Sequence, residues 1–229
     1  MHLVELSDCT IPPQGRGKGL DHVVFRLASG DVWSIHSENS DDAHLLLKVL
    51  ATLARPVSGT YRFMGDVLDF SDYRNLLSVK KQIAYVASDS AMISNESIRD
   101  NLLLMRNYFE NSLSLKLEAE TLELCRILGI EDKLDMRPAS LDVLDVRSAI
   151  FVRELMKSPK LLLLERPEDL ISHTKYAGFR LILKNLLQTN ISVIFMSNDK
   201  KFVKSFASHN LLISNGQLLE AGLWAKSTG

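Results

Sequence analysis

Short apolar runs alternate with longer segments of helical spacing along most of the chain. The runs that predict strands are 23–27, 32–35, 82–86, 161–164 and 193–196. The segments whose apolar positions recur every three or four residues are 43–53, 97–128, 148–157 and 176–187. Because strands alternate with helices, we expect an α/β protein with a mostly parallel sheet that is covered on both faces.

Turn signals define the ends of several of these elements. Asn215-Gly216 lies between two short apolar runs and predicts a terminal hairpin, and Ser58-Gly59 precedes a further strand. Asp41 or Asp42 is expected to cap the helix that starts at Ala43. These signals divide the chain into compact elements joined by short connections.

The long helical stretch 97–128 interrupts the alternation of strands and helices, and it predicts a helical subdomain. We expect a single domain over 1–229, with a core formed by 1–87 and 159–229. Residues from about 88 to 158 form the helical subdomain in this division. A chain of 229 residues is long enough for one such domain.

The composition is that of an ordinary globular protein. The residues are 46% hydrophobic and 24% charged, and 27 basic against 28 acidic residues give a formal net charge of −1. This balance argues against disorder and against non-specific nucleic-acid binding. Cys9 and Cys125 lack the spacing of a zinc site, and no stretch approaches the roughly 20 apolar residues of a membrane helix. We therefore expect a soluble, cytosolic protein with no nucleic-acid partner.

Five segments occur in an order and spacing typical of one protein family. They are 45–65, 80–104, 127–141, 153–170 and 213–222. Together they resemble the nucleotide-binding subunits of ATP-binding cassette (ABC) transporters, over about residues 3–222. The resemblance implies a P-loop NTPase-like α/β fold, with a mixed β core, a parallel sheet flanked by helices, an antiparallel β part and a helical subdomain.

The phosphate-binding loop of that family would lie between the strand at 32–35 and the following helix. The residues at its two glycines, its lysine and its magnesium-binding hydroxyl are Ser37, Asp42, Ala43 and His44. The glycines normally let backbone N–H groups surround the phosphates, and the lysine neutralises their charge. Here the cation is missing and Glu38, Asp41 and Asp42 add potential anions, so the resemblance implies a degenerate phosphate loop.

The other catalytic positions are substituted as well. The resemblance assigns Ser88 to the Q-loop glutamine, Arg166 to the catalytic glutamate, Ser172 to the D-loop aspartate and Asn198 to the switch histidine. Glu165, at the Walker B aspartate, keeps a carboxylate and is the one weak candidate for a magnesium ligand. Because a guanidinium stays protonated, Arg166 cannot act as a general base.

The signature motif, which presents N–H groups to a nucleotide across a dimer, is also altered. Its positions hold Asp142, Val143, Leu144 and Asp145. Side chains at the two glycines restrict the backbone, and the two carboxylates add negative charge. The combined substitutions predict a pseudo-ATPase that needs neither ATP nor Mg²⁺.

The resemblance implies partners as well as a fold. We expect a structural or regulatory component of a membrane transport complex, bound to a transmembrane permease subunit, to an active ABC ATPase subunit, or to both. Homodimers and heterodimers both remain open. The chain would then lie in the cytoplasm, peripheral to the inner face of the membrane.

Two alternatives remain open at the level of sequence. The first is a divergent but active ATP-binding and ATP-hydrolysing subunit, with Glu165 and the basic loop residues Arg16 and Lys18 as its parts. The second is a free-standing regulatory module that binds another ligand in the cleft where the family binds its nucleotide. The loop Gly15–Gly19 itself lacks the Lys-Ser/Thr ending of a phosphate cradle and predicts a flexible connection.

Overall fold

The computed structural model describes residues 2–110, 115–170, 172 and 174–221. These residues form two β-sheets and seven α-helices, joined by turns and four short 3-10 helices. The first sheet is antiparallel, with strand order β2-β1-β4-β5. Its strands are β1 (His2–Ile11), β2 (Leu20–Ala28), β4 (Ser58–Phe63) and β5 (Asp66–Val67).

The second sheet has six strands in the order β10-β9-β3-β8-β7-β6. Its strands are β3 (Val32–Ser37), β6 (Ile83–Val86), β7 (Leu161–Glu165), β8 (Ser192–Met196), β9 (His209–Ser214) and β10 (Gln217–Ala221). All neighbours are parallel except β9 and β10, which form the expected hairpin. The parallel sheet and the antiparallel β part are as predicted.

Helices cover both faces of the parallel sheet. They are α1 (Ser40–Leu50), α2 (Leu77–Lys80), α3 (Ile98–Glu110), α4 (Ala119–Ile127), α5 (Val143–Leu155), α6 (Tyr176–Gln188) and α7 (Lys200–Phe206). Two apolar clusters result, one shared by α1 and the antiparallel sheet and the other by α3–α7.

Strand β7 shows why the apolar run at 161–164 is continuous. Leu161 and Leu163 point into the cluster that contains α1, whereas Leu162 and Leu164 point into the cluster that contains α5 and α6. Alternate residues of a strand face opposite sides of its sheet, so a strand buried on both faces is apolar at successive positions rather than at every second one. All five residues of β7, including Glu165, are buried.

Several helix boundaries differ from the predicted ones. Helix α1 begins at Ser40, and its cap is Asn39, whose side chain accepts a hydrogen bond from Asp41 N; the predicted caps Asp41 and Asp42 lie inside the first turn. Helix α1 ends at Leu50, three residues before the predicted end at 53.

The other differences lie in the second half of the chain. Helix α5 begins at Val143 because Asp142 caps it, five residues before the predicted start. The stretch 97–128 contains two helices, α3 and α4, and residues 111–114 within it lie outside the described part. Strand β1 and helices α2 and α7 were not predicted, and Gly222 of the terminal hairpin lies outside the described part.

The helices α3, α4 and α5 all lie within the stretch predicted as a helical subdomain, whose boundaries stay a prediction. In the described ranges, no helix combines the length and the apolar character needed to cross a bilayer.

Candidate functional site

The candidate site lies at the carboxyl ends of β3, β7 and β8, which are neighbours in the parallel sheet. In open α/β sheets this edge is the usual place for a ligand. Helix α1 begins three residues after β3, so its first turn lies at the same edge. Glu165 ends β7, and Ser197 and Asn198 follow β8.

Glu165 is the centre of a hydrogen-bond cluster made of protein groups. Its Oε2 accepts hydrogen bonds from the backbone N and the Oγ of Ser88, each at 2.9 Å. Its Oε1 accepts a short hydrogen bond from the Tyr85 hydroxyl and lies 2.9 Å from His44 Nδ1. With the side chain only 2% exposed, these donors satisfy a buried carboxylate.

The cluster keeps the Glu165 carboxylate ionised. Burial raises the pKa of Glu165, but hydrogen bonds from Tyr85, His44 and Ser88 outweigh burial, and the pKa lies below its usual range. The same burial, reinforced by the Glu165 charge, raises the pKa of Tyr85 well above its usual range. Tyr85 therefore stays a hydroxyl donor to a negative acceptor.

The first turn of α1 binds the loop between β1 and β2. Asp41 Oδ2 accepts a hydrogen bond from Arg16 N at 2.7 Å, and Asp42 Oδ1 accepts one from Gly19 N at 2.9 Å. Asn39 Nδ2 donates to Arg16 O at 2.7 Å. Two carboxylates at the positive end of a helix thus collect backbone N–H groups from a neighbouring loop.

The glycines of this loop allow the close approach. A Cβ on Gly15 would lie 2.5 Å from Asp41 Oδ2, and a Cβ on Gly17 would overlap Asp42 Oδ1. The loop predicted as flexible is therefore hydrogen-bonded to α1. Lys18 reaches in another direction, since its Nζ donates to Asn215 Oδ1 at 2.5 Å, in the turn between β9 and β10.

Arg166 and Asn198 are held by groups outside the Glu165 cluster. Arg166 adopts a left-handed backbone conformation with φ 47°, and its side chain pairs with Asp169 at 2.7 Å. Glu168 accepts hydrogen bonds from Asn198 N at 2.8 Å and from Ser197 Oγ at 2.7 Å.

Two of the cavities near the start of α1 are lined by His44. The first has a volume of about 340 Å³, and its ionisable lining residues are Asp41, His44, Lys48, Asp89 and Glu165. The second has a volume of about 380 Å³, and its polar lining residues are His36, Ser37, Ser40, His44, Arg166, Ser197 and Asn198. Among the described residues, no group of three or more His, Cys, Asp or Glu side chains is arranged to hold a metal ion.

Solved structures share this arrangement of sheets and helices. The dimeric ATP-binding cassette MJ0796, described in a post-hydrolysis state with ADP and Pi, matches with a TM-score of 0.79 at 18% identity over 96% of this chain and 100% of that chain. An ATP-binding subunit of an ABC transporter matches with a TM-score of 0.81 at 15% identity over 96% and 90%. This chain has the ABC ATPase fold.

Relatives by sequence agree with the fold. No family model matches the chain. The methionine import ATP-binding protein MetN of Helicobacter acinonychis is 28% identical over 217 residues, which are 90% of this chain and 62% of that protein. The molybdenum import ATP-binding protein ModC of Brucella melitensis is 24% identical over 220 residues, 95% of this chain and 60% of that protein. The chain thus spans about three fifths of the length of these relatives.

The residues predicted to occupy the signature motif lie at the start of α5. Asp142 caps the helix by accepting a hydrogen bond from Asp145 N at 2.8 Å. Asp145 is buried and pairs with Lys175 Nζ at 2.5 Å and, more closely, with Lys133 Nζ. Burial raises the pKa of Asp145, but the hydrogen bonds from the two lysines outweigh it, so the pKa lies below its usual range. Val143 and Leu144 follow the cap, and Val143 is exposed.

Sequence reasoning missed several residues that form hydrogen bonds or ion pairs with the predicted site residues. They are Asn39, Tyr85, Lys133, Glu168 and Lys175. Asn39 was detectable as a helix cap, because Asn is a favoured residue there. The other four residues belong to no sequence motif. Their partners lie far away in the chain and come into reach only through the tertiary fold.

Proposed function

We propose that this chain is a pseudo-ATPase, a catalytically degenerate relative of ABC ATP-binding subunits that serves as a structural or regulatory component of a membrane transport complex. The observation that carries the proposal is that protein donors already occupy both carboxylate oxygens of Glu165. Ser88, Tyr85 and His44 donate to both of its carboxylate oxygens. A magnesium ion at this carboxylate would have to displace protein donors that already satisfy it.

The charges at the start of α1 do not suit the binding of a nucleoside triphosphate. Asp41 and Asp42 place two carboxylates in the turn that would receive the phosphates, and both already bind backbone N–H groups of the β1–β2 loop. Each close pair of like charges costs on the order of 1 kcal/mol even in water-like surroundings. Ala43 is fully buried in the apolar cluster around α1 and offers no cation.

The residues at the hydrolytic positions do not supply a general base. Arg166 is a permanent cation paired with Asp169. Asn198 carries an amide, and Ser88 turns both its N–H and its hydroxyl towards Glu165. The chemistry that orients and deprotonates a water molecule is missing from these positions, which supports a role without hydrolysis.

The residues at the predicted signature positions also support a role without ATP hydrolysis. The Asp145 carboxylate is engaged by Lys133 and Lys175, and Asp142 caps its own helix. Neither group is arranged to donate to a phosphate on a second chain, because carboxylates accept hydrogen bonds. We propose that any dimer, with a second copy or with an active ATPase subunit, forms without a shared nucleotide.

The proposed partners follow from the relatives. MetN and ModC are named as ATP-binding proteins of methionine and molybdenum import. By analogy, we propose that this chain binds a transmembrane permease subunit, an active ABC ATPase subunit, or both, at the cytoplasmic face of a membrane.

Calorimetric titration of the purified protein with MgATP tests the proposal, alongside phosphate release in the same buffer. We expect no binding heat up to millimolar MgATP and no turnover. Binding tighter than about 100 μM, roughly −5.5 kcal/mol, would contradict the proposal and favour the active alternative. In that case the variants Arg16→Ala and Lys18→Ala show whether the basic loop takes part in the site. Both should weaken MgATP binding only if these side chains contact the nucleotide.

A further inference from the structure

One surface of the molecule carries basic side chains from two adjacent helices. They are Arg180 and Lys184 of α6 and Lys200, Lys201 and Lys204 of α7, and we call this surface the α6–α7 basic face. Neither helix contains an aspartate or a glutamate. This is a marked local excess of positive charge in a chain whose formal net charge is −1.

Side chains of the two helices contact one another, which brings their cations onto neighbouring elements. The rings of Phe179 and Phe202 stack with centroids 6.2 Å apart. Arg180 Cζ lies 5.7 Å from the centroid of Phe206. Phe202 and Phe206 are buried beneath α7, which leaves its lysines on the outer side.

The carboxylates at the base of α7 already have partners. Asp199 caps α7 by accepting a hydrogen bond from Lys201 N at 2.8 Å. Glu168 accepts from Ser197 and Asn198. In the described ranges, the four side chains of Arg180, Lys184, Lys201 and Lys204 form no ion pair with a carboxylate. Their charge is therefore available to an external anion.

An exposed apolar side chain lies beside one of these cations. Leu181 is 52% exposed and lies about one helical turn before Lys184 on α6. Helices that lie on membrane surfaces combine lysines, which attract anionic headgroups, with apolar side chains that enter the boundary of the acyl layer. A nucleic-acid backbone satisfies the cations but offers nothing to the leucine, so the combination favours lipid.

We infer that the α6–α7 basic face binds the anionic phospholipid surface of a membrane. The contact is made by the chain itself and does not depend on a permease or on the absence of ATP hydrolysis. Each basic residue near an anionic surface strengthens binding by about 1 kcal/mol, or about fivefold, and the attraction weakens as salt is added.

Flotation of the purified full chain with vesicles tests this inference. We expect binding to vesicles of phosphatidylcholine mixed with phosphatidylglycerol, release by added salt, and weak binding to phosphatidylcholine alone. The variant Lys184→Gln/Lys201→Gln/Lys204→Gln should lower the partition coefficient by about a hundredfold. The matched control is Arg26→Gln/Arg55→Gln/Arg62→Gln, which removes the same charge from exposed positions around the antiparallel sheet and should retain binding.

Four outcomes would overturn the inference. They are no binding to the anionic vesicles, equal loss in the two triple variants, tighter binding to duplex DNA at the same phosphate concentration, and tighter binding to an acidic peptide. If the triple variant does not fold, as judged by circular dichroism, Lys184→Gln alone should lower partition about fivefold. Leu181→Asn should also weaken binding to vesicles, whereas it should leave any binding to the acidic peptide unchanged.

Discussion

His44 Nδ1 lies 2.9 Å from Glu165 Oε1, and this contact joins α1 to the end of β7. Tyr85 and Ser88 bind the same carboxylate from β6 and the segment after it. Three separate parts of the chain thus meet at one buried anion. Glu165 therefore links three elements at the carboxyl edge of the sheet.

Replacement of His44 by alanine should destabilise the fold, because a buried carboxylate loses a donor. Hydrogen bonds to charged groups contribute about 1.5–3 kcal/mol, so we expect a loss of about 2 kcal/mol in the free energy of unfolding. Urea unfolding measures it. His22→Ala removes an exposed histidine–carboxylate pair with Asp8 and should leave the free energy nearly unchanged. Equal stability of the His44→Ala variant and the unsubstituted chain would contradict this role.

The stability contributed by Glu165 should disappear in acid. Its pKa in the folded state lies below the ordinary 4.5. This contribution is complete above pH 4.5 and is lost as the pH falls through the lower folded-state value. Glu165→Gln should therefore be less stable near neutral pH and lose less stability on acidification, as urea titrations at several pH values would measure. Glu96→Gln, at an exposed position, should keep the pH profile of the unsubstituted chain.

The ion pairs of Asp145 should stabilise the junction of α4, α5 and α6. Asp145→Asn leaves Lys133 and Lys175 without their carboxylate, and we expect a loss of about 2 kcal/mol in the free energy of unfolding. Denaturant unfolding near neutral pH measures this loss. In the control Asp135→Asn, the exposed pair with Arg99 is removed and stability should hardly change. A similar small effect of both variants would mean that the buried position of Asp145 adds nothing.

Gly17→Ala should release the β1–β2 loop from α1. The added Cβ overlaps Asp42 Oδ1, so either the loop or the first turn of α1 must move, at a cost of about 1–3 kcal/mol. In the unsubstituted chain, Arg16 N and Gly19 N donate hydrogen bonds to Asp41 and Asp42. Hydrogen exchange at these two amides should become faster in the variant. Gln14→Ala, in the same loop, should leave their exchange unchanged. Protected amides in the Gly17→Ala variant would show that the loop does not need the close approach.

The fold was predicted from local sequence patterns whose expected strands and turns are present in the structure. The run 161–164 predicts a buried strand because both faces of β7 are covered. Likewise, Asn215-Gly216 predicts the β9–β10 turn from residue preference alone, and both residues have positive φ there. The start of α5 was missed because its first turn reverses the usual pattern, with Val143 exposed and Asp145 buried, and because Asp142 was not recognised as its cap.

By itself, the sequence determined the order of strands and helices, the ABC ATPase resemblance and the identity of the side chains at the substituted positions. Only the tertiary structure decided what those side chains do. Tyr85 and Glu165 are 80 positions apart, and Gly19 and Asp42 are 23 apart. The Tyr85–Glu165 pair forms because parallel strand ends converge at one edge of the sheet, and the Gly19–Asp42 pair forms because the β1–β2 loop lies against the start of α1. Neither hydrogen bond leaves a periodic pattern in the chain.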